Sequence, residues 1–306
     1  MEIKKVLICG FGALGIALTY KLSKNACVKI LVDELRYEKY KKINFSFNKN
    51  KIKPCYILPN DRFDADLIII TAKFDGLKEI AKNISNFVNN KTIIITLTNG
   101  ISAERYLKNI LKNGNIIYSY YLGDSVIKNN ENVINKEFGK IYIGACNKES
   151  LTQIKALHNF FNQNNIQTEI SKNIIYSLWV KFGVNIVLNQ LSAITRLKVG
   201  DLKKCDLYKN YADKLLDEVL KIAEFEKIQP LNNFKKDVYK SINQIADDGI
   251  TSMLQDILQK RKTEVEIFSG EIINLAKIYN IKTPYNNEIY KKIKTIEQLY
   301  IKKKEY

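Results

Sequence analysis

The spacing of apolar residues changes period near residue 149. Before that point lie short apolar runs: KKVLICG (4–10), CVKILVD (27–33), ADLIIIT (65–71), TIIITLT (92–98), NIIYSYY (115–121) and KIYIGA (140–145). Each predicts a strand, and the stretches 13–24, 34–42, 75–89 and 101–112 predict helices. Strands that are apolar at nearly every position and alternate with helices imply a parallel sheet covered on both faces. The Asn- and Lys-rich piece NFSFNKNKIKP (44–54) reads as a surface loop. An amphipathic helix over 149–164 leads into a short strand, QTEIS, and only helices follow: 173–195, 205–227, 231–247, 249–279 and 284–303. The period has moved from 2 to 3.6. An α/β domain over 1–168 is therefore expected to run directly into an all-helical domain over 169–306.

Composition narrows the classes. The 306 residues are 46% hydrophobic and 26% charged, enough chain for two ordinary cores. No run approaches the roughly 18 apolar residues of a membrane helix, and the start MEIKKVLICG lacks the features of a secretory signal. A cytoplasmic protein without a membrane partner is expected. The five cysteines, Cys9, Cys27, Cys55, Cys146 and Cys205, are scattered without CxxC spacing, which argues against a disulfide framework and a metal site. The one histidine, His158, has no ligand-type residues beside it in LTQIKALHNFF, so proton chemistry must come from another side chain. The formal charge of +17 is spread from end to end without interleaved aromatics. That pattern gives no reason to expect a nucleic-acid partner.

The first strand opens directly into Gly10-Phe11-Gly12-Ala13-Leu14-Gly15, followed by the helical IALTYKLSK. A GxGxxG alone is a weak signal; between a strand and a helix each glycine acquires a task. Gly10 makes the tight turn, Gly12 lets backbone approach a diphosphate, and Gly15 permits close helix–strand contact. The helix N-terminus adds free N–H donors and a positive dipole end. The reading is a Rossmann-type dinucleotide-binding domain, with residues 10–15 as its phosphate turn. Asp33 ends the second strand, where a carboxylate commonly holds the ribose hydroxyls of NAD, while Arg36 is placed to clasp the 2′-phosphate of NADP. These residues leave the choice of dinucleotide open. Two further strands end in Thr71-Ala72-Lys73 and Thr98-Asn99-Gly100, at the edge where such sheets bind ligands. Lys73 and Asn99 are the candidates there.

The helical half carries an anomaly. In KFGVNIVLNQLSAI (181–194) an apolar helix holds Lys181, Asn185 and Asn189 at steps of four, which puts them on one face. A lysine in a dry site is disfavoured as the ammonium, which makes it a usable proton donor near neutrality. Asparagines beside it offer donors and acceptors without charge. The bland alternative is a lysine snorkelling to water with asparagines bonded to backbone. Downstream, DDGITSMLQDILQKRKTEVEIFSGEII (247–273) reads as one helix on which Ser252 and Glu264 share nearly one face.

Together GFGALG (10–15), TAK (71–73), TNG (98–100), LWVKFGVNIVLNQLSAI (178–194) and SMLQDILQKRKTEVEIFSGEII (252–273) resemble the ketopantoate reductases over essentially the whole chain. The last two segments are the specific ones. The resemblance implies reduction of 2-dehydropantoate to (R)-pantoate, with NADP(H) rather than NAD(H), in pantothenate and coenzyme A synthesis. It also implies Lys181 as proton donor, Glu264 as a carboxylate near the lysine and cofactor, and Asn185, Asn189, Ser252 and Asn99 as substrate contacts. Lys73 and Asn99 match cofactor-side positions. The sequence departs from the family where Gln190 replaces a usual proline, and where Val199 stands at a position some members give to asparagine. The rival readings are a reductase of another 2-oxo acid, a 3-hydroxyacid-type dehydrogenase, and a non-catalytic NAD(P)-sensing module. The sequence leaves the oligomeric state open, with helices 205–227 and 284–303 as surfaces able to support a homodimer.

Overall fold

The computed structural model describes residues 2–123, 127–129, 131–134, 138–145 and 150–301, and divides into two compact units, Met1–Ile174 and Ile175–Tyr306. Cys146, the first residue of the helix expected over 149–164 and the last two of that over 284–303 lie outside the described residues.

In the first unit the strands are β1 (Lys5–Cys9), β2 (Cys27–Leu31), β3 (Ser46–Phe47), β4 (Asn50–Lys51), β5 (Tyr56–Ile57), β6 (Leu67–Ile70) and β7 (Ile93–Thr96). They continue with β8 (Asn115–Leu122), β9 (Ile127–Asn129), β10 (Asn132–Ile134), β11 (Lys140–Gly144) and β12 (Thr168–Ile170). The helices are α1 (Ala13–Leu22), α2 (Glu34–Tyr40), α3 (Leu77–Ile84), α4 (Ala103–Ile110) and α5 (Leu151–Gln163). Eight strands form one sheet in the order β12-β11-β8-β7-β6-β1-β2-β5. The strands β5 to β8 on that list, with β1 and β2, run parallel. β1, β6 and β7 are buried on both faces because Val6, Ile8, Leu67, Ile69, Ile93 and Ile95 point to one face, while Leu7, Cys9, Ile68, Ile70 and Ile94 point to the other. Helices α1 and α5 cover the first face through Leu18, Leu22, Leu157 and Phe161. α3 and α4 cover the second through Leu77, Ala81, Ile84 and Leu107.

Two local expectations need correction. The strand at 140–145 pairs antiparallel with β8; among the described residues between them there is no helical crossover, which parallel neighbours require. The piece 44–54 is not a bare surface loop. Phe45 and Phe47 are buried, β3 and β4 form a hairpin, and β3 pairs with β10. Its turn places Asn48 and Lys49 at positive φ (47° and 68°), the conformation a two-residue hairpin demands. The Asn and Lys content hid the F-S-F alternation.

The chain order crosses over between β1 and β6, so the sheet has its topological switch point there, with Gly10 after β1 and Thr71 after β6.

The second unit contains α6 (Ile174–Val184), a π-helical turn (Asn185–Asn189), α7 (Gln190–Thr195), α8 (Val199–Lys204), α9 (Asp206–Phe225) and α10 (Phe234–Asn243). It ends with α11 (Ser252–Leu258), a 3-10 turn (Val265–Ile267), α12 (Ser269–Tyr279) and α13 (Pro284–Ile301). Ile174–Thr195 holds an 18-residue window of mean hydropathy 1.2, so one stretch is long and apolar enough to cross a membrane, contrary to expectation. That window is 61% buried inside the protein, as a core helix is.

The helix expected over 249–279 is broken, and Ser252 and Glu264 do not share a helical face. α11 stops at Leu258, Lys260 takes φ +52°, and Arg261 folds back on Asp256 through a 2.8 Å Nε–Oδ1 ion pair. The backbone N–H and hydroxyl of Thr263 then donate to Glu297 Oε1 on α13 at 2.7 and 2.6 Å. Between Leu258 and Val265 no apolar residue occurs. Such a polar run offers a helix nothing to bury.

Candidate active site

The residues singled out in the first unit gather at the switch point. Gly10 has φ +110°, and a Cβ on it would meet Ala72 N at 2.5 Å; no side chain fits this turn. A Cβ on Gly15 would stand 2.0 Å from Gly10 O. Thr71 Oγ1 locks the crossing by donating to Gly10 O at 2.7 Å. At Gly12 a Cβ would meet nothing within 4 Å. α1 begins there with no side-chain cap and no acidic residue in its first turn. Open space before free N–H groups at a positive dipole end suits an anion such as a diphosphate. Phe11 is buried and packs edge-on against Phe45 and Tyr56, so its side chain anchors the turn and only its backbone is available. Ala13 and Leu14 are half-buried on α1.

Gly12→Ala should therefore fold with unchanged stability yet bind NAD(P)H about tenfold to a hundredfold more weakly, the equivalent of roughly 1.5–3 kcal/mol for hydrogen bonds to a charged group. Fluorescence titration alongside a thermal melt checks both halves, and wild-type affinity would remove Gly12 from the phosphate site.

Asp33 caps α2: its Oδ1 accepts from Arg36 N at 2.6 Å, and its Oδ2 pairs with Arg36 Nη1 at 2.7 Å. The two residues that offered alternative cofactor contacts are thus bonded to each other. Lys73 is exposed just after β6, and Asn99 half-buried just after β7. Beside Asn99, the hydroxyl of Thr98 (7% exposed) has no hydrogen-bond partner among the described residues. A buried, unmatched hydroxyl at the ligand-binding edge of the sheet is a contact that inspection of the sequence passed over. Glu104 supports this loop from below, accepting from Thr96 Oγ1 at 2.8 Å. Burial raises its carboxyl above the usual range.

In the second unit the structure joins three of the predicted residues in one chain. Ser252 Oγ donates to Asn189 Oδ1 at 3.1 Å, as does Met253 N at 3.2 Å. Asn189 Nδ2 donates to Asn185 Oδ1 at 2.8 Å. With its oxygen so engaged, Asn185 presents its Nδ2, which is buried and has no partner among the described residues. Asn185 is only 7% exposed and Asn189 9%. An orphaned amide donor costs about 1–3 kcal/mol in a dry setting unless something accepts from it. Lys181 lies half-buried on α6, four residues before Asn185. Glu264 is half-buried at the start of the 3-10 turn. Val199 is 1% exposed and opens α8, which makes it a core residue with no polar contact to give. His158 sits on α5 beside Asn162, away from these residues in sequence.

Comparison with known proteins bears on the family of the chain. The profile described as Ketopantoate reductase PanE/ApbA matches residues 6–148, and that described as Ketopantoate reductase PanE/ApbA C terminal matches residues 173–297. The chain is 28% identical over 246 residues to the 2-dehydropantoate 2-reductase of Aquifex aeolicus (strain VF5), which covers 78% of this chain and 79% of that one. It is 26% identical over 311 residues to the 2-dehydropantoate 2-reductase of Pyrococcus abyssi (strain GE5 / Orsay), covering 98% and 100% of the two. Among solved structures, a D-mandelate dehydrogenase in ternary complex with NADH and anilino(oxo)acetate has a TM-score of 0.85 at 22% identity, over 96% of this chain and 98% of that one. At that identity the likeness speaks for the fold. The chain belongs to the ketopantoate reductase family, and it is an NAD(P)H-dependent oxidoreductase of the kind that acts on 2-oxo acids.

Proposed function

We propose that this enzyme reduces 2-dehydropantoate to (R)-pantoate with NADPH, on the way to pantothenate and coenzyme A. The observation that carries the reading is the chain Ser252–Asn189–Asn185, which ends in an unmatched donor one helical turn from Lys181. Residues 10–15 and the N-terminus of α1 hold the diphosphate, with Lys73 neutralising charge and Asn99 bonding to cofactor and substrate. A reduced nicotinamide supplies a hydride when bound.

The remaining chemistry belongs to the chain's own residues. Lys181 gives a proton to the substrate's keto oxygen as negative charge develops there, and its ammonium stabilises that charge before transfer. Asn185 donates from Nδ2 to the substrate's carboxylate or hydroxyl. Asn189 and Ser252 set which way the Asn185 amide faces, since reversing it would break the 2.8 Å bond to Asn189. Glu264 orients the lysine.

One observation favours NADH as the physiological donor instead. Asp33 stands where a ribose-binding carboxylate is expected, and its negative charge, 2.7 Å from Arg36 Nη1, would repel a 2′-phosphate brought to that guanidinium. Loss of the reduced nicotinamide's absorbance, measured with NADPH and NADH against ketopantoate and simpler 2-oxo acids, tests both points. Turnover of ketopantoate with NADPH supports the reading. A higher kcat/KM with NADH would move the cofactor assignment, and no oxidation with any 2-oxo acid would overturn the function.

A further inference from the structure

Lys181, Asn185 and Asn189 follow one another at steps of four residues. In an α-helix each such step overshoots a full turn by about 40°, so the third side chain would drift by about 80° from the first. The π-helical turn over Asn185–Asn189 counters this drift. A turn widened by one residue advances less per step, which brings Asn189 back over Asn185, and the 2.8 Å bond between their amides records the alignment.

Such a turn has a consequence for the backbone. Where the widened ladder rejoins the α pattern, the register has slipped by one residue and a carbonyl must find a donor elsewhere. The N–H of Gln190 goes to Val187 O. Its side-chain Nε2 donates to Ile186 O at 2.9 Å, serving the carbonyl that an α-helix would have paired with the Gln190 N–H. The other end of the same side chain, Oε1, accepts from Ser269 N at the start of α12 at 3.2 Å. From there Ser269 Oγ donates to Asn286 Oδ1 at 2.9 Å, and Asn286 Nδ2 donates to Glu218 Oε2 at 2.7 Å. Glu218 in turn accepts the Tyr285 and Asn286 N–H groups that open α13. Gln190, Ser269 and Asn286 are each 0% exposed. An amide is an expensive group to bury without purpose.

We infer that Gln190 is a positioning residue: its side chain holds the π turn that lines up Lys181, Asn185 and Asn189, and fastens that turn to α9, α12 and α13. The inference rests on the proposed roles of those three residues. Gln190→Met keeps the length of the side chain and removes both bonds. It should lower kcat/KM for the 2-oxo acid on the order of 10²-fold, the scale of a displacement of about 1 Å in the site. The loss falls on kcat and on KM for the 2-oxo acid, with KM for the nicotinamide donor unchanged.

Gln190→Pro supplies the discriminating rescue. Proline lacks the N–H and clashes with the carbonyl four residues earlier, so it opens the helix at Ile186 by another route. Q190P should recover most of the activity that Q190M loses, although it forfeits the bond to Ser269. Parallel loss of stability and activity in both variants would mean a structural role only, and would overturn the proposal. A crystal structure of Q190M gives a readout free of turnover. Relaxation to a continuous α-helix with Asn189 turned from Asn185 supports the inference, and a retained π turn sinks it. If Q190M does not fold, Q190L, another apolar side chain of similar volume that lacks both polar atoms, carries the same test. Should the wild type reduce no 2-oxo acid, the functional reading falls while the crystal structure still decides the role of Gln190.

Discussion

Replacing Lys181 with alanine should lower kcat by roughly 10²- to 10⁴-fold, the contribution expected of a positioned general acid. The reason is particular to this helix. Lys181 is the sole basic side chain between Ile174 and Thr195, and the hydroxyl of Tyr176 already donates to Asp237 Oδ2 at 2.6 Å. The residues after it along that helix bring amides, two hydroxyls and hydrocarbon, none of them acidic enough to surrender a proton to an alkoxide. Asn185 and Asn189 would survive the substitution with their mutual bond intact, so substrate binding should weaken far less than turnover. Affinity for the nicotinamide donor should not move, since the glycine turn belongs to the other unit. Steady-state kinetics with both substrates varied, together with a thermal melt, separates these outcomes. An alanine variant with wild-type kcat would remove the lysine from catalysis. Lys181→Arg should rescue poorly, because a guanidinium keeps its proton.

Gly15→Ala should damage the molecule in a different way. The added methyl would lie 2.0 Å from Gly10 O and 3.0 Å from Thr71 Oγ1. The first of these is backbone, held in place by the 2.7 Å bond from Thr71, and cannot swing aside. Helix α1 would have to lift from the sheet, parting Leu18 and Leu22 from the core they fill. Overpacking of this kind costs about 1–3 kcal/mol, and here the upper end is expected because both clashing partners are fixed. Chemical denaturation should show the loss directly, accompanied by weaker NAD(P)H binding as the phosphate turn distorts. The contrast with Gly12→Ala is the sharper test: two glycines three residues apart, one expected to fail in stability and the other only in binding. Equal stability of the two variants would refute the assignment of separate tasks.

Much of this architecture is legible before any coordinates. The parallel strands could be read because β1, β6 and β7 are apolar on both faces, and the phosphate turn because glycines at 10, 12 and 15 lie between a strand and a helix. The polar stripe at 181, 185 and 189 stood out against its apolar setting. Other features were hidden. The β3–β4 hairpin is masked by asparagine and lysine at its turn, and the break after Leu258 lies inside a stretch that reads as one helix. Gln190 reads as a mere departure from a family pattern, and Thr98 as no more than the end of a strand.

The division has a physical basis. Periodicity and turn chemistry act between neighbours in the chain, so the sequence by itself determined the central parallel strands and the helices between them, where the phosphate turn lies and which helix carries the lysine. Hydrogen bonds between distant residues obey no local period. The Ser252–Asn189 contact spans 63 residues and the Ser269–Gln190 contact 79. Which way the Asn185 amide faces, and that the helix widens into a π turn beneath it, were decided only when the helices packed and each buried polar atom had to find its partner.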